Sequence, residues 1–136
     1  MAPPVAPMLA RLARDLPVGP DWAYEPKWDG FRCLVFRDGD AVDLRSRHDR
    51  PLGRYFPEVV AAVRELPDPQ LVLDGELVVH AASRASFPDL MARLHPAASR
   101  VATLAALTPA AYVAFDVLAA AGRSRLATPY RDRRTA

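Results

Sequence analysis

A chain of 136 residues, 51% hydrophobic and 25% charged, is long enough for one domain with a core and too short for two ordinary ones. A net charge of +2 does not by itself call for nucleic acid, and the single cysteine, Cys33, excludes an intrachain disulfide and points to a reducing compartment. No apolar run reaches transmembrane length, and residues 1–20 lack the charged-then-apolar order of a signal peptide, so a cytoplasmic protein without membrane contact is expected.

Residues 1–20 form a proline-rich lead-in, in which the apolar spacing of Met8, Leu9, Leu12 and Leu16 predicts a short helix. Asp21 to Glu25 reads as a short strand stopped by Pro26. Lys27 then sits on a turn, and Asp29-Gly30 fits a tight bend in which glycine tolerates positive φ. Phe31 to Arg37 alternates as a strand, with Phe31, Cys33 and Val35 on one face and Arg32, Leu34 and Phe36 on the other. Asp38-Gly39 signals a hairpin to a return strand, Ala41 to Ser46. A polar loop, Arg47 to Arg54, leads to a helix from Pro57 to Leu66 with Val59, Val60, Val63 and Leu66 inward.

Leu71 to His80 is the most strand-like segment. Leu71, Leu73, Leu77 and Val79 share one face, while Val72, Asp74, Glu76, Val78 and His80 share the other, with a bulge at Gly75 as a possible interruption. Helices are expected from Ser86 to Leu94, capped by Ser86, and from Ala97 to Leu107. A last strand, Tyr112 to Ala119, carries Asp116, and Pro129 to Thr135 opens another helix. The sum is an α+β fold, with antiparallel strands in residues 22–46, 71–80 and 112–119, helices packed outside, and residues 21–136 as one unit after the lead-in.

Of 18 Lys+Arg residues, 17 are arginine, and Lys27 is the only lysine. A guanidinium does not deprotonate near neutral pH, whereas a lysine amine can lose its proton and attack an electrophile. The pattern therefore points to a nucleophile, against the competing reading of a surface lysine that survived by chance. Asp74 and Glu76 project from an otherwise apolar strand, which is costly unless they meet a cation, a metal or donors. The arginines cluster at 45–54 and 123–134, either to neutralise phosphates or as a solvated basic face. His48, His80 and His95 lack ligand-like spacing with Cys33, so no zinc site is expected.

Glu25-Pro26-Lys27-Trp28-Asp29-Gly30-Phe31-Arg32 resembles the nucleotidyl-transfer motif of ATP-dependent DNA ligases and mRNA capping enzymes. Ser46-Arg47 with Tyr55-Phe56-Pro57-Glu58, Leu73-Asp74-Gly75-Glu76-Leu77, and Tyr112 to Leu118 look like the motifs that follow it. Tyr130-Arg131-Asp132-Arg133-Arg134 resembles the next ligase stretch, and its flavour favours a bacterial end-joining DNA ligase over a capping enzyme.

The resemblance implies an ATP-grasp-like adenylation domain in which Lys27 attacks the α-phosphate of ATP, with magnesium or manganese, before AMP passes to a 5′-phosphate in nicked or broken DNA. It implies nucleotide binding by Glu25, Arg32, Arg47, Glu76 and Phe115, with Phe115 stacking on adenine. Asp29, Gly30 and Asp74 would support them, and Glu76 would also be the metal ligand. Asp116 is expected to be structural. The family carries later motifs, including two lysines, and an OB-fold domain, none of which this sequence contains. The expectation is thus a truncated, N-terminal part of an adenylation domain, associated with the nucleoid and paired with a complementing ligase fragment. A non-catalytic nucleotide- or DNA-binding remnant and a capping-type guanylyltransferase remain as alternatives.

Overall fold

The computed structural model describes residues 1–81, 84–94 and 97–135. Strand β1 (Phe31–Asp38) turns back through Gly39 and Asp40 into β2 (Ala41–Ser46), with Asp38 opposite Ala41. Gly39 takes φ +61°, the left-handed conformation such two-residue hairpin turns require. A short 3-10 turn (Gly53–Tyr55) precedes helix α1 (Pro57–Arg64), β3 (Gln70–Ala81) and the two-residue β4 (Arg84–Ala85). Then come α2 (Phe87–Ala92), α3 (Ala98–Leu107), β5 (Ala110–Ala120), β6 (Arg123–Ser124) and α4 (Tyr130–Arg133). The strands form one antiparallel sheet in the order β2-β1-β3-β5-β6, with β4 paired to β3.

Period-two alternation gives this sheet two unlike faces. Cys33, Val35, Leu44, Leu71, Leu73, Leu77 and Val79 point to one side and pack with Phe56, Val59 and Val63 from the α1 region and Leu90 of α2. The opposite face divides. Leu34, Phe36, Val72, Leu118 and Ala119 form a smaller apolar cluster covered by Val5 of the lead-in, while Arg32, Asp74 and Glu76 occupy the adjoining polar part. Gly75 faces the first side because nothing larger fits: a Cβ there would run into the Val113 carbonyl and come within 2.5 Å of the Tyr112 ring. The β3–β5 register shifts between Asp74 and Gly75, and the extra residue is Phe115 on β5, so the irregularity expected at Gly75 falls on its neighbour strand.

The helices are tied to the sheet by an ion pair between a buried arginine and a half-buried glutamate. Arg93 is fully buried, and its guanidinium donates to both Glu58 carboxylate oxygens (2.6 and 2.9 Å), to the Tyr55 carbonyl (2.8 Å) and to the Thr108 carbonyl (3.3 Å). Glu58 also accepts from the Ala110 N–H at 2.9 Å, so one carboxylate joins α1 to the end of α2 and the start of β5. The Phe-Pro-Glu stretch is thereby a packing device, with Phe56 fully buried beneath the Arg93 guanidinium.

Two expected elements do not form. Residues 8–16 have no regular structure and Met8, Leu9, Leu12 and Leu16 are exposed. The apolar side chains of a nine-residue helix between Pro7 and Pro17 would pack on none of the described residues, and so short an isolated helix is unstable in water. Residues 21–25 are not a strand because none of the described residues supplies ladder bonds to them; side chains fix them instead, including the Tyr24 hydroxyl, which donates to the Pro17 carbonyl at 2.6 Å. The helix expected to reach Leu66 ends at Arg64, leaving Leu66 exposed. His95 lies outside the described residues. Among the described residues no helix is long and apolar enough to cross a membrane.

Burial pushes the Cys33 thiol up to about 12, so almost no thiolate is present at pH 8. Alkylation of native protein by iodoacetamide is expected to be negligible at that pH and to become rapid on unfolding in urea. Fast native-state labelling would contradict the packing of β1.

Candidate active site

The site begins where the chain enters β1. The Gly30 N–H donates to Glu76 Oε1 at 2.8 Å, which ties the Lys27 loop to β3. Gly30 has no positive φ; the glycine is needed because a Cβ would collide with the Leu77 carbonyl and lie 2.9 Å from Glu76 Cγ. The reason for the residue is close approach, not the bend chemistry expected from Asp-Gly.

Arg32 lies opposite Glu76 in the ladder but reaches diagonally to Asp74, donating through Nε (2.6 Å) and Nη2 (2.7 Å). This two-point grip raises the Arg32 pKa further. The same guanidinium stands 4.6 Å from the centre of the Phe115 ring. Both acids on the polar face of β3 therefore meet donors, Asp74 the guanidinium and Glu76 a backbone N–H. Asp74 thus engages Arg32, and the Phe115 ring bears the guanidinium.

Lys27 hangs on the loop with its side chain 87% exposed, and Nζ donates to Asp29 Oδ1 at 2.8 Å. That hydrogen bond and the Asp29 charge, with a smaller push from Glu76, raise its pKa above the usual 10.5. Glu25 is neutralised at the far side of the loop by the Tyr130 hydroxyl and the Arg134 guanidinium.

A cleft of about 520 Å³ opens where β1 begins and β2 ends, lined by Gly30, Arg32, Arg47, His48 and Glu76, with Phe87 on its apolar wall. Arg47 Nε donates to His48 Nε2 at 3.0 Å, and the Ser46 hydroxyl accepts from the His48 and Arg50 N–H groups (3.3 and 3.1 Å), which fixes the loop carrying them. The cleft thus joins Gly30, Arg32, Arg47 and Glu76. Asp74 and Phe115 contact Arg32 from outside the cleft lining, Lys27 and Asp29 precede it on the exposed loop, and Glu25 is held by the chain's last turns.

Among the described residues no group of three or more His, Cys, Asp or Glu side chains could hold a metal. Glu76 has one oxygen outside its bond to Gly30. Asp116 is gripped by Arg133 through two 2.7 Å contacts, in keeping with a structural role. Sequence reasoning missed the contacts of Tyr130 and Arg134 with Glu25, 105 and 109 positions away, because no periodicity reports such pairs. It also missed His48 beside Arg47.

The family model described as "ATP dependent DNA ligase domain" matches residues 7–136. DNA ligase C2 of Mycolicibacterium smegmatis is 53% identical over 135 residues, covering 98% of this chain and 37% of that protein. DNA ligase C of Mycobacterium tuberculosis is 51% identical over the same length, with the same coverage of both. The solved ligase domain of M. tuberculosis LigD has a TM-score of 0.67 at 38% identity, covering 82% of this chain and 34% of that one. A structure of mycobacterial DNA ligase D complexed with ATP and MES gives a TM-score of 0.66 at 38% identity, with the same coverage. The chain spans a little over a third of the length of these ligases C. With its fold and motif residues arranged as above, the chain belongs to the ATP-dependent DNA ligase domain family.

Proposed function

We propose that this chain is the nucleotide-accepting part of an ATP-dependent DNA ligase and that Lys27 carries the AMP. The observation that carries the reading is the sole lysine on a loop pinned by Glu76 beside a cleft lined by Arg32 and Arg47. The likeness to a ligase complexed with ATP supports the choice of nucleotide.

In the first step the deprotonated Lys27 amine attacks the α-phosphorus. A P–N bond forms, the bond to the bridging oxygen breaks, pyrophosphate leaves with its electron pair, and the nitrogen sheds a proton to solvent. A 5′-phosphate oxygen of nicked or broken DNA then displaces lysine, which takes up a proton from solvent as it leaves as the amine, and the adjoining 3′-hydroxyl displaces AMP as it loses its proton. Arg32 and Glu76 are assigned to ribose hydroxyls, Glu25 and Phe115 to the nucleoside, and Arg47 to the ribose or a phosphate. The Arg32 guanidinium already stands over the Phe115 ring, so adenine would stack on the face of the ring that it leaves open.

Magnesium or manganese fits the free oxygen of Glu76, since such ions take one or two carboxylates together with phosphate and water oxygens. When bound, the ion neutralises triphosphate charge and eases the departure of pyrophosphate. The working location is the cytoplasm at the nucleoid, where broken DNA is met, with a complementing ligase segment as partner.

Incubation with α-labelled ATP and magnesium is expected to label the chain through an acid-labile bond, and Lys27→Ala is expected to remove the label. Absence of label in the native chain would favour a binding remnant, and competition by GTP would favour a guanylyltransferase.

The pH dependence has a defined sign. Asp29 raises the Lys27 pKa, so the free amine is scarce at neutral pH and increases as pH rises. Asp29→Asn removes that charge and is expected to move the rising limb of the labelling rate to lower pH, whatever its effect on the plateau. An unmoved limb would show that Asp29 does not control the amine.

A further inference from the structure

We propose that Tyr130 and Arg134 clamp Glu25 and thereby act as positioning residues for the Lys27 loop; their part in catalysis rests on the ligase reading above. Residues 22–29 have no regular secondary structure, and the side chains of Lys27 and Asp29 are 87% and 74% exposed. A nucleophile on such a loop attacks reproducibly only if both ends of the loop are fixed. Glu76 fixes the Gly30 end. At the other end, the Glu25 carboxylate meets the Tyr130 hydroxyl and the Arg134 guanidinium.

The clamp stands on the sheet. Arg133 grips Asp116 through two contacts of 2.7 Å and donates to the Thr128 carbonyl at 2.6 Å, so α4 cannot drift from β5. The Tyr130 hydroxyl also lies 3.0 Å from the Phe115 carbonyl. Burial, and then the contact with Glu25, push the Tyr130 phenol up, so it keeps its proton and donates. One irregular stretch of β5, Phe115 and Asp116, therefore seats both Arg32 and the platform that holds Glu25. Arg134 and Glu25 remain 49% and 33% exposed, so the clamp biases the loop without carrying the fold.

The single lysine supplies a direct readout, because a lysine-specific endoproteinase can cut this chain only after Lys27. Arg134→Ala and Glu25→Gln are each expected to speed that cleavage about fivefold, with the double variant no faster than either single one. Cys33 alkylation should stay slow in all of them. Unchanged cleavage would overturn the clamp, as would Cys33 labelling that accelerates in step, since that reports global unfolding. For α-labelled ATP, Arg134→Ala is expected to lower the labelling rate at saturating nucleotide by a larger factor than it raises KM. A rise in KM with an unchanged rate would overturn the positioning role. The cleavage assay needs no nucleotide, so faster cleavage in variants of a chain that never accepts AMP would support the clamp and sink the ligase reading alone.

Discussion

Arg93→Ala is expected to destabilise the fold by about 3 kcal/mol, the lower end of the cost of breaking a buried ion pair, because the Glu58 side chain left behind is 21% exposed and partly rehydrates. Arg93 is fully buried and holds Glu58 and two carbonyls; without it the Glu58 carboxylate keeps, among the described residues, the Ala110 N–H. The half-buried Tyr55 and Thr108 also lose a donor to their carbonyls, while removal of the buried Arg93 Nε, which no described residue satisfies, offsets part of the loss. The measurement is urea denaturation followed by fluorescence of the two tryptophans. Glu58→Leu with Arg93→Met is expected to cost less than the sum of the single changes, because neither charge is then left buried alone. A loss under about 1 kcal/mol for Arg93→Ala, the range of exposed pairs, would show that the knot is not where the helices are held.

Lys27→Arg is expected to abolish AMP acceptance, by a factor of about a thousand or more, while leaving stability unchanged. Arginine keeps the positive charge and can keep the contact with Asp29, but it does not deprotonate near neutral pH. The substitution therefore separates two roles that alanine removes together, charge at the cleft and nucleophile. Label on the arginine variant would mean that Lys27 serves only as a cation and that AMP, if transferred, resides elsewhere.

Much of this molecule was legible before its structure. The alternation of Phe31 to Arg37 and of Leu71 to His80 gave both strands and their faces, because a half-buried sheet enforces period two. The two acids on β3 announced a need for donors, and the structure supplies Arg32 and the Gly30 N–H. The lead-in misled for a physical reason: helical spacing at Met8 to Leu16 means little where no surface receives it. The extended run at residues 21–25 likewise had strand composition but no neighbour. The contacts of Glu25 with Tyr130 and Arg134, and of Glu58 with Arg93, join residues 35 to 109 positions apart, and a single sequence holds no trace of such pairs. The resemblance named the residues; the structure adds how the loop that bears Lys27 is held.

The most direct measurement is to incubate the chain with ATP and magnesium, digest it and locate the adduct by mass spectrometry. One AMP on Lys27, lost on mild acid treatment and absent when pyrophosphate is added back in excess, is the predicted result. An adduct on any other residue, or an unmodified Lys27 in protein whose Cys33 remains buried, would contradict the assignment of Lys27 as the nucleophile.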